Sequence, residues 1–147
     1  CAGRTGGLEP AAVPSSQRLA RTLRILARRM HPWKATAGLH HPFRRQDSNL
    51  GCLTHGFINV LFADILARRA MFDDQQLAAV LDEQTPSAFR FADYTLPAGE
   101  TAQSLLRVAW RDRWANVTAR GLLSIGSCSF DEPREDLAAL GLLQRSE

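Results

Sequence analysis

Four side chains stand out as able to do chemistry, and three of them sit close together. Lys34 is the only lysine among 18 basic side chains. In a chain that otherwise draws its surface cations from arginine, a lone lysine points to a position where an arginine would not serve. A desolvated lysine loses its proton more readily and becomes a nucleophile for carbonyl carbon. His40 and His41 follow it in "KATAGLHHP", and His55 opens the next apolar stretch. Imidazoles at such positions suit proton transfer near neutral pH. Asn59 falls one helical turn beyond His55, on the same face.

Two small-residue turns could hold the ligand that such groups would act on. In "GRTGG", Arg4 precedes Gly6 and Gly7. A guanidinium beside glycines can grip a phosphate or carboxylate while the backbone approaches closely. In "SIGSCSFDEP", Gly126, Ser127 and Ser129 could form an anion-binding nest ahead of a helix start. Cys128 lies between those serines, where the helix start would favour its thiolate, although a small buried thiol is the plainer reading.

These groups need elements to position them. "CAGRTGG" reads as the end of a strand entering a glycine turn. "SSQRLARTLRILARRM" is a helix capped by Ser15 or Ser16, with Leu19, Leu23, Leu26 and Met30 on one stripe. Pro32 stops it. "WKAT" is then a short strand, with Trp33 and Ala35 on one face and Lys34 and Thr36 on the other. Residues 37–53 read as a long polar loop, and residues 54–70 as a helix capped by Thr54 and apolar around most of its circumference. A third helix begins at Asp73 or Asp74. Residues 87–100 suggest a short hairpin, and residues 101–121 a fourth helix with Leu106, Trp110 and Trp114 stacked. "LLSIGSCSF" reads as a strand into a turn. "DEPREDLAALGLL" is a closing helix with Asp131 and Glu132 at its start and Gly141 at its end.

This alternation is the pattern of an α/β protein with a parallel sheet. A complete (β/α)8 barrel takes about 250 residues. The chain has 147, so the expected architecture is the C-terminal portion of a (β/α)8-type barrel, or an incomplete parallel α/β layer, forming a single region. A small, mostly helical domain is the alternative. An abrupt start at Cys1 suits a piece of a longer chain, with a lipidated amino-terminal cysteine as the other reading.

In "RTGG", "KATAGLHHP", "HGFINV" and "SIGSCSFDEP" the chain resembles the C-terminal part of an uncharacterised bacterial protein family, to which no activity attaches. "KATAG" and "SIGSCS" are also similar, locally, to class I aldolases of the deoxyribose-phosphate aldolase type. That resemblance implies a barrel, with Lys34 as an auxiliary lysine of the site and Gly126 and Ser127 near a phosphate. The position that would hold the Schiff-base lysine of those aldolases falls in "GRTGG", which carries Arg4. Either Lys34 does the covalent work itself, or no Schiff base forms.

Composition narrows the classes. A formal charge of +3 is modest, and no dense basic run argues for nucleic acid. The longest apolar run is broken by Asp64 and is too short to span a bilayer. Neither GxGxxG nor a P-loop is present, and no cofactor is expected. Three scattered cysteines without CxxC or zinc spacing suit a reducing, cytoplasmic setting. The leading expectation is therefore a barrel-type enzyme portion acting on a small anionic or phosphorylated carbonyl compound, aldolase-like. Its partner in assembly would be the remainder of the barrel or a second copy. One alternative is a non-catalytic α/β or helical domain that assembles through the apolar helix 54–70. Another is a metal-dependent hydrolase using His40, His41 and His55.

Overall fold

The computed structural model describes residues 2–68, 72–89, 121–127, 129 and 131–143. The predicted helix 101–121, apart from Gly121, and nearly all of the predicted hairpin 87–100 lie outside these residues, as do Cys1 and Cys128. Among the described residues, three short strands form a parallel sheet: β1 (Ala2–Arg4), β2 (Trp33–Thr36) and β5 (Leu122–Ile125), in the order β1-β2-β5. Strands β3 (Arg45–Asp47) and β4 (Cys52–Thr54) form a separate antiparallel hairpin. Four helices accompany them: α1 (Ser16–Arg28), α2 (Phe57–Ala67), α3 (Asp74–Asp82) and α4 (Asp131–Ala139). The protein is thus α/β with a small parallel sheet, and no closed barrel is seen among the described residues.

The local chemistry explains most boundaries. Ser15 caps α1, its Oγ accepting from the Arg18 amide at 3.3 Å. The helix ends two residues before Met30, which takes a left-handed φ of 50° and stands exposed rather than joining the buried stripe. Leu19, Ala20, Leu23 and Ala27 form that stripe. Asp73 caps α3 in a reciprocal box with Gln76. Thr54 does not cap α2. It belongs to β4, and Gly56 takes the cap position with no side-chain bond. The first amides of α2 are satisfied instead by main-chain carbonyls: Phe57 N donates to His41 O at 3.0 Å and Ile58 N to Pro42 O at 2.9 Å. A side chain at residue 56 would collide with the Phe43 backbone.

Trp33 and Ala35 are buried while Lys34 is exposed and Thr36 half-buried, as the alternation in "WKAT" predicts. The buried face joins one core with the inner sides of α1, α2 and α3. Helix α2 is enclosed within this chain, with nine of its residues buried from Ile58 to Ala67. Among the described residues of the predicted helix 54–70, the apolar side chains are buried or half-buried. The link between α2 and the sheet is polar and fully buried. Asp64 accepts from Trp33 Nε1 at 2.9 Å and from the Leu122 amide at 3.0 Å, joining two strands to one helix. Arg68, one turn on, neutralises it at 3.2 Å. Among the described residues no helix is long and apolar enough to cross a membrane.

Candidate functional site

The carboxyl ends of β1, β2 and β5 meet at one edge of the sheet, where ligand sites of parallel α/β proteins are found. Their loops are pinned closely. The Thr5 amide donates to Thr36 O at 3.0 Å, and Thr5 Oγ1 donates to Ala37 O at 2.7 Å. Gly6 and Gly38 pass backbone to backbone: a Cβ on Gly38 would stand 2.6 Å from the Gly6 Cα. Ala37 and Gly38 both take left-handed φ, 63° and 78°. For Ala37 that conformation costs about 1 kcal/mol, so tertiary contacts must hold it. Gly126 N donates to Ala35 O at 2.9 Å and secures the third strand end.

After this turn, buried Leu39 anchors the chain and His40 and His41 emerge at the edge. Each meets a carboxylate from α4. His40 Nδ1 lies 3.1 Å from Glu132 Oε2 and 3.2 Å from Ser127 Oγ. His41 Nδ1 lies 2.6 Å from Asp136 Oδ2, and Arg45 reaches the same oxygen at 3.7 Å. Asp136 thereby sets the neutral His41 ring in its Nδ1–H tautomer, leaving Nε2 as the basic nitrogen. No hydrogen bond to that Nε2 occurs among the described residues.

A groove of about 540 Å³ runs along this edge. It is lined by Gly6, Gly7 and Gly38, by His40, His41 and Glu132, and by residues of the β3–β4 hairpin. The hairpin contributes Arg45, Asp47 and the turn after it. Asp47 Oδ1 accepts from the amides of Asn49 at 2.8 Å and Leu50 at 3.0 Å. The Leu50 amide is the main cause holding its carboxyl below the usual carboxylate range, so Asp47 stays charged in the groove. Ser129 also lines the groove and accepts from the Glu132 amide at 3.2 Å.

The other expected residues fall in two places. Arg4, Lys34 and Thr36 share the sheet face opposite Trp33 and Ala35, with Arg4 beside Thr36 in register. Lys34 is exposed there, not enclosed. Thr36 Oγ1 donates to Gly3 O at 3.3 Å. His55 and Asn59 lie deeper and do not line the groove. His55 is 1% exposed. Its Nε2–H donates to Pro14 O at 2.8 Å, and Arg44 Nη1 donates to its Nδ1 at 3.1 Å. Burial pushes its pKa down from the ordinary imidazole value, so it sits neutral as a strut. Asn59 Oδ1 accepts from the Arg44 amide at 2.9 Å, and its Nδ2 donates to the carbonyls of Val80 and Glu83 at the end of α3. The expected convergence of His55 and Asn59 on the loop mouth is replaced by this internal frame. Arg44 completes the frame through Asp82 at 3.1 Å.

Sequence reasoning gave Asp136, Arg45 and Glu132 no place in the site. Glu132 and Asp136 stand one helical turn apart on α4, a spacing that puts two acids on one face. That was the one available signal. Among the described residues no three His, Cys, Asp or Glu side chains converge as a metal-ligand set. Comparison with known proteins finds no matching family model, no matching curated protein and no matching solved structure.

Proposed function

We propose that the chain is part of a barrel-type enzyme whose ligand is a small anionic carbonyl compound, phosphorylated compounds included, and whose reaction class is carbon–carbon lyase chemistry of the aldolase kind. The carrying observation is the groove at the carboxyl edge of the parallel strands, with His41 oriented by Asp136 and Arg45 beside them. In this reading His41 Nε2 takes or returns the proton on the carbon next to the carbonyl. Arg45 and the amides of the Gly6–Gly7 turn hold the anionic group. His40, backed by Glu132 and Ser127, is the second proton carrier.

Further support comes from the one-sided packing of the sheet. The core covers the Trp33 face, and Arg4, Lys34 and Thr36 stand on the other. In a closed barrel that second face is the interior. Lys34 would then be the amine that adds to the carbonyl carbon and loses water to form an imine, with Arg4 and Thr36 alongside. For a phosphorylated compound, Ser129, which also lines the groove, would join Arg45 and the Gly6–Gly7 turn on the phosphate.

Reductive trapping tests the covalent step. The chain is incubated with phosphorylated and carboxylated aldehydes and ketones, treated with borohydride, and digested for mass analysis. A reduced adduct on the Lys34 peptide, absent from Lys34→Arg, is expected. If the whole panel leaves Lys34 unmodified, Lys34 has no covalent role and the lyase assignment is withdrawn.

A further inference from the structure

Helix α1 and the residue that ends it carry more than the net positive charge of the chain. Residues 16–29 hold Arg18, Arg21, Arg24, Arg28 and Arg29 and no acid. The formal charge of the chain is +3, so setting these five aside leaves −2 for the rest. Helix stability does not ask for this arrangement. Arg18 stands in the first turn, where the dipole favours acids, and that turn has none. Arg18 and Arg21, Arg21 and Arg24, and Arg24 and Arg28 are three or four residues apart, a spacing at which like charges repel. Asp74 offsets Arg24 at 2.7 Å and Arg21 at 3.7 Å. Among the described residues no salt bridge reaches Arg18, Arg28 or Arg29.

The helical repeat sorts these side chains into one stripe. Arg18, Ile25 and Arg29 fall within about 20° of a common line along the helix, with Arg21 and Arg28 flanking it. That line lies opposite Ala20, Leu23 and Ala27, which are buried in the core. Arg18, Arg21, Arg28 and Arg29 are exposed. Ile25, in the middle of the stripe, is 48% exposed, and Met30, just past its end, is 59% exposed. We infer that this face of α1 docks on an anionic membrane surface, the helix lying along the headgroups with Ile25 and Met30 reaching below them.

Charge complementarity selects the partner class, and the two apolar side chains select within it. An anionic leaflet attracts each arginine near it, and the hydrocarbon beneath the headgroups receives an isoleucine and a methionine. A nucleic acid also offers phosphates, but the stripe has no aromatic side chain to stack on bases. The apolar side of α1 is committed to the core, so the contact is superficial and reversible. Each arginine at such a surface is worth about fivefold in partition. No residue of α1 lines the carboxyl-edge groove, so the inference stands apart from what that groove binds.

Co-sedimentation of the full chain with vesicles tests it. The vesicles are phosphatidylcholine alone, or phosphatidylcholine with about one-third phosphatidylserine, in about 0.1 M salt. The chain should pellet with the second and stay in solution with the first, and about 1 M salt should release it. Arg18→Gln/Arg29→Gln should weaken partition about 25-fold, whereas Arg18→Lys/Arg29→Lys, which keeps the charge, should change it less than about twofold. Ile25→Ala should weaken it about fourfold, one methylene's worth of apolar burial. Arg4→Gln/Lys34→Gln removes the same charge from the exposed sheet face and should leave partition unchanged. The headgroup and salt dependence of the unmodified chain need no variant to fold. The inference is overturned if phosphatidylserine makes no difference, or if Arg4→Gln/Lys34→Gln weakens binding as much as Arg18→Gln/Arg29→Gln. It is equally overturned if Ile25→Ala changes nothing, or if a DNA duplex or an RNA strand strips the chain from the vesicles.

Discussion

Replacing Asp64 by alanine should cost more stability than any other single polar-to-alanine change in the described residues. The side chain is fully buried and serves three partners: Trp33 Nε1, the Leu122 amide and the Arg68 guanidinium. Alanine leaves both neutral donors without an acceptor. It also strands a guanidinium only 11% exposed, whose Nη1 already has no hydrogen-bond partner. Breaking a buried pair from one side costs about 3–5 kcal/mol, and an unsatisfied buried donor costs about 1–3 kcal/mol. Because these losses share one site they do not add, and we expect about 4 kcal/mol in total. At roughly 2–4 °C per kcal/mol for a chain of this size, Tm should fall by roughly 8–16 °C. Urea unfolding followed by far-ultraviolet circular dichroism measures the free energy. Asp64→Ala/Arg68→Ala removes the stranded charge as well and should recover about 2 kcal/mol relative to Asp64→Ala. An Asp64→Ala protein within about 1 kcal/mol of the original, or a double variant worse than the sum of the singles, would refute the claim that this carboxylate ties the sheet to α2.

Two further changes probe the frame around the groove. Gly38→Ala should destabilise by about 2–3 kcal/mol, since it adds the left-handed penalty to a backbone collision. Gly51→Ala, with φ of 66° and open space around it, should lose only about 1 kcal/mol in the same urea assay; equal losses would show that the Gly6–Gly38 contact is not tight. His55 titrates below the ordinary imidazole value because it is buried. Its contribution to stability is therefore complete above about pH 6.5, the unfolded value, and is lost as pH falls through the folded one, by at most about 1.4 kcal/mol per pH unit. His55→Gln should flatten that part of the stability–pH curve; an unchanged slope would mean the ring is not held neutral.

Much of the frame can be read from local pattern. Ser15 and Asp73, each one of two adjacent cap candidates, announce their helices, "WKAT" alternates as it must, and the wrap-around apolar surface of α2 foretells its burial. The β3–β4 hairpin escapes the same reading. Its strands are three residues each, and their polarity and exposure hide the alternation. The Asp47 turn and Gly51 are its only marks. Histidine roles escape for a different reason. His40, His41 and His55 are alike in sequence, and their partners are remote in the chain. Glu132 and Asp136 put two of them at an open edge, while Pro14 O and Arg44 lock the third inside. The alternation of Lys34 with Trp33 is legible in "WKAT", whereas the exposure of the Lys34 face is not.

The central claim is that the carboxyl-edge groove binds a small anionic carbonyl compound. A backbone amide NMR titration with phosphorylated and carboxylated aldehydes and ketones tests it most directly. The account predicts saturable shifts concentrated at Gly6, Gly7, Gly38, His40, His41, Asn49 and Ser129, abolished in Arg45→Ala. Saturable shifts centred elsewhere, or none across the panel, would contradict it.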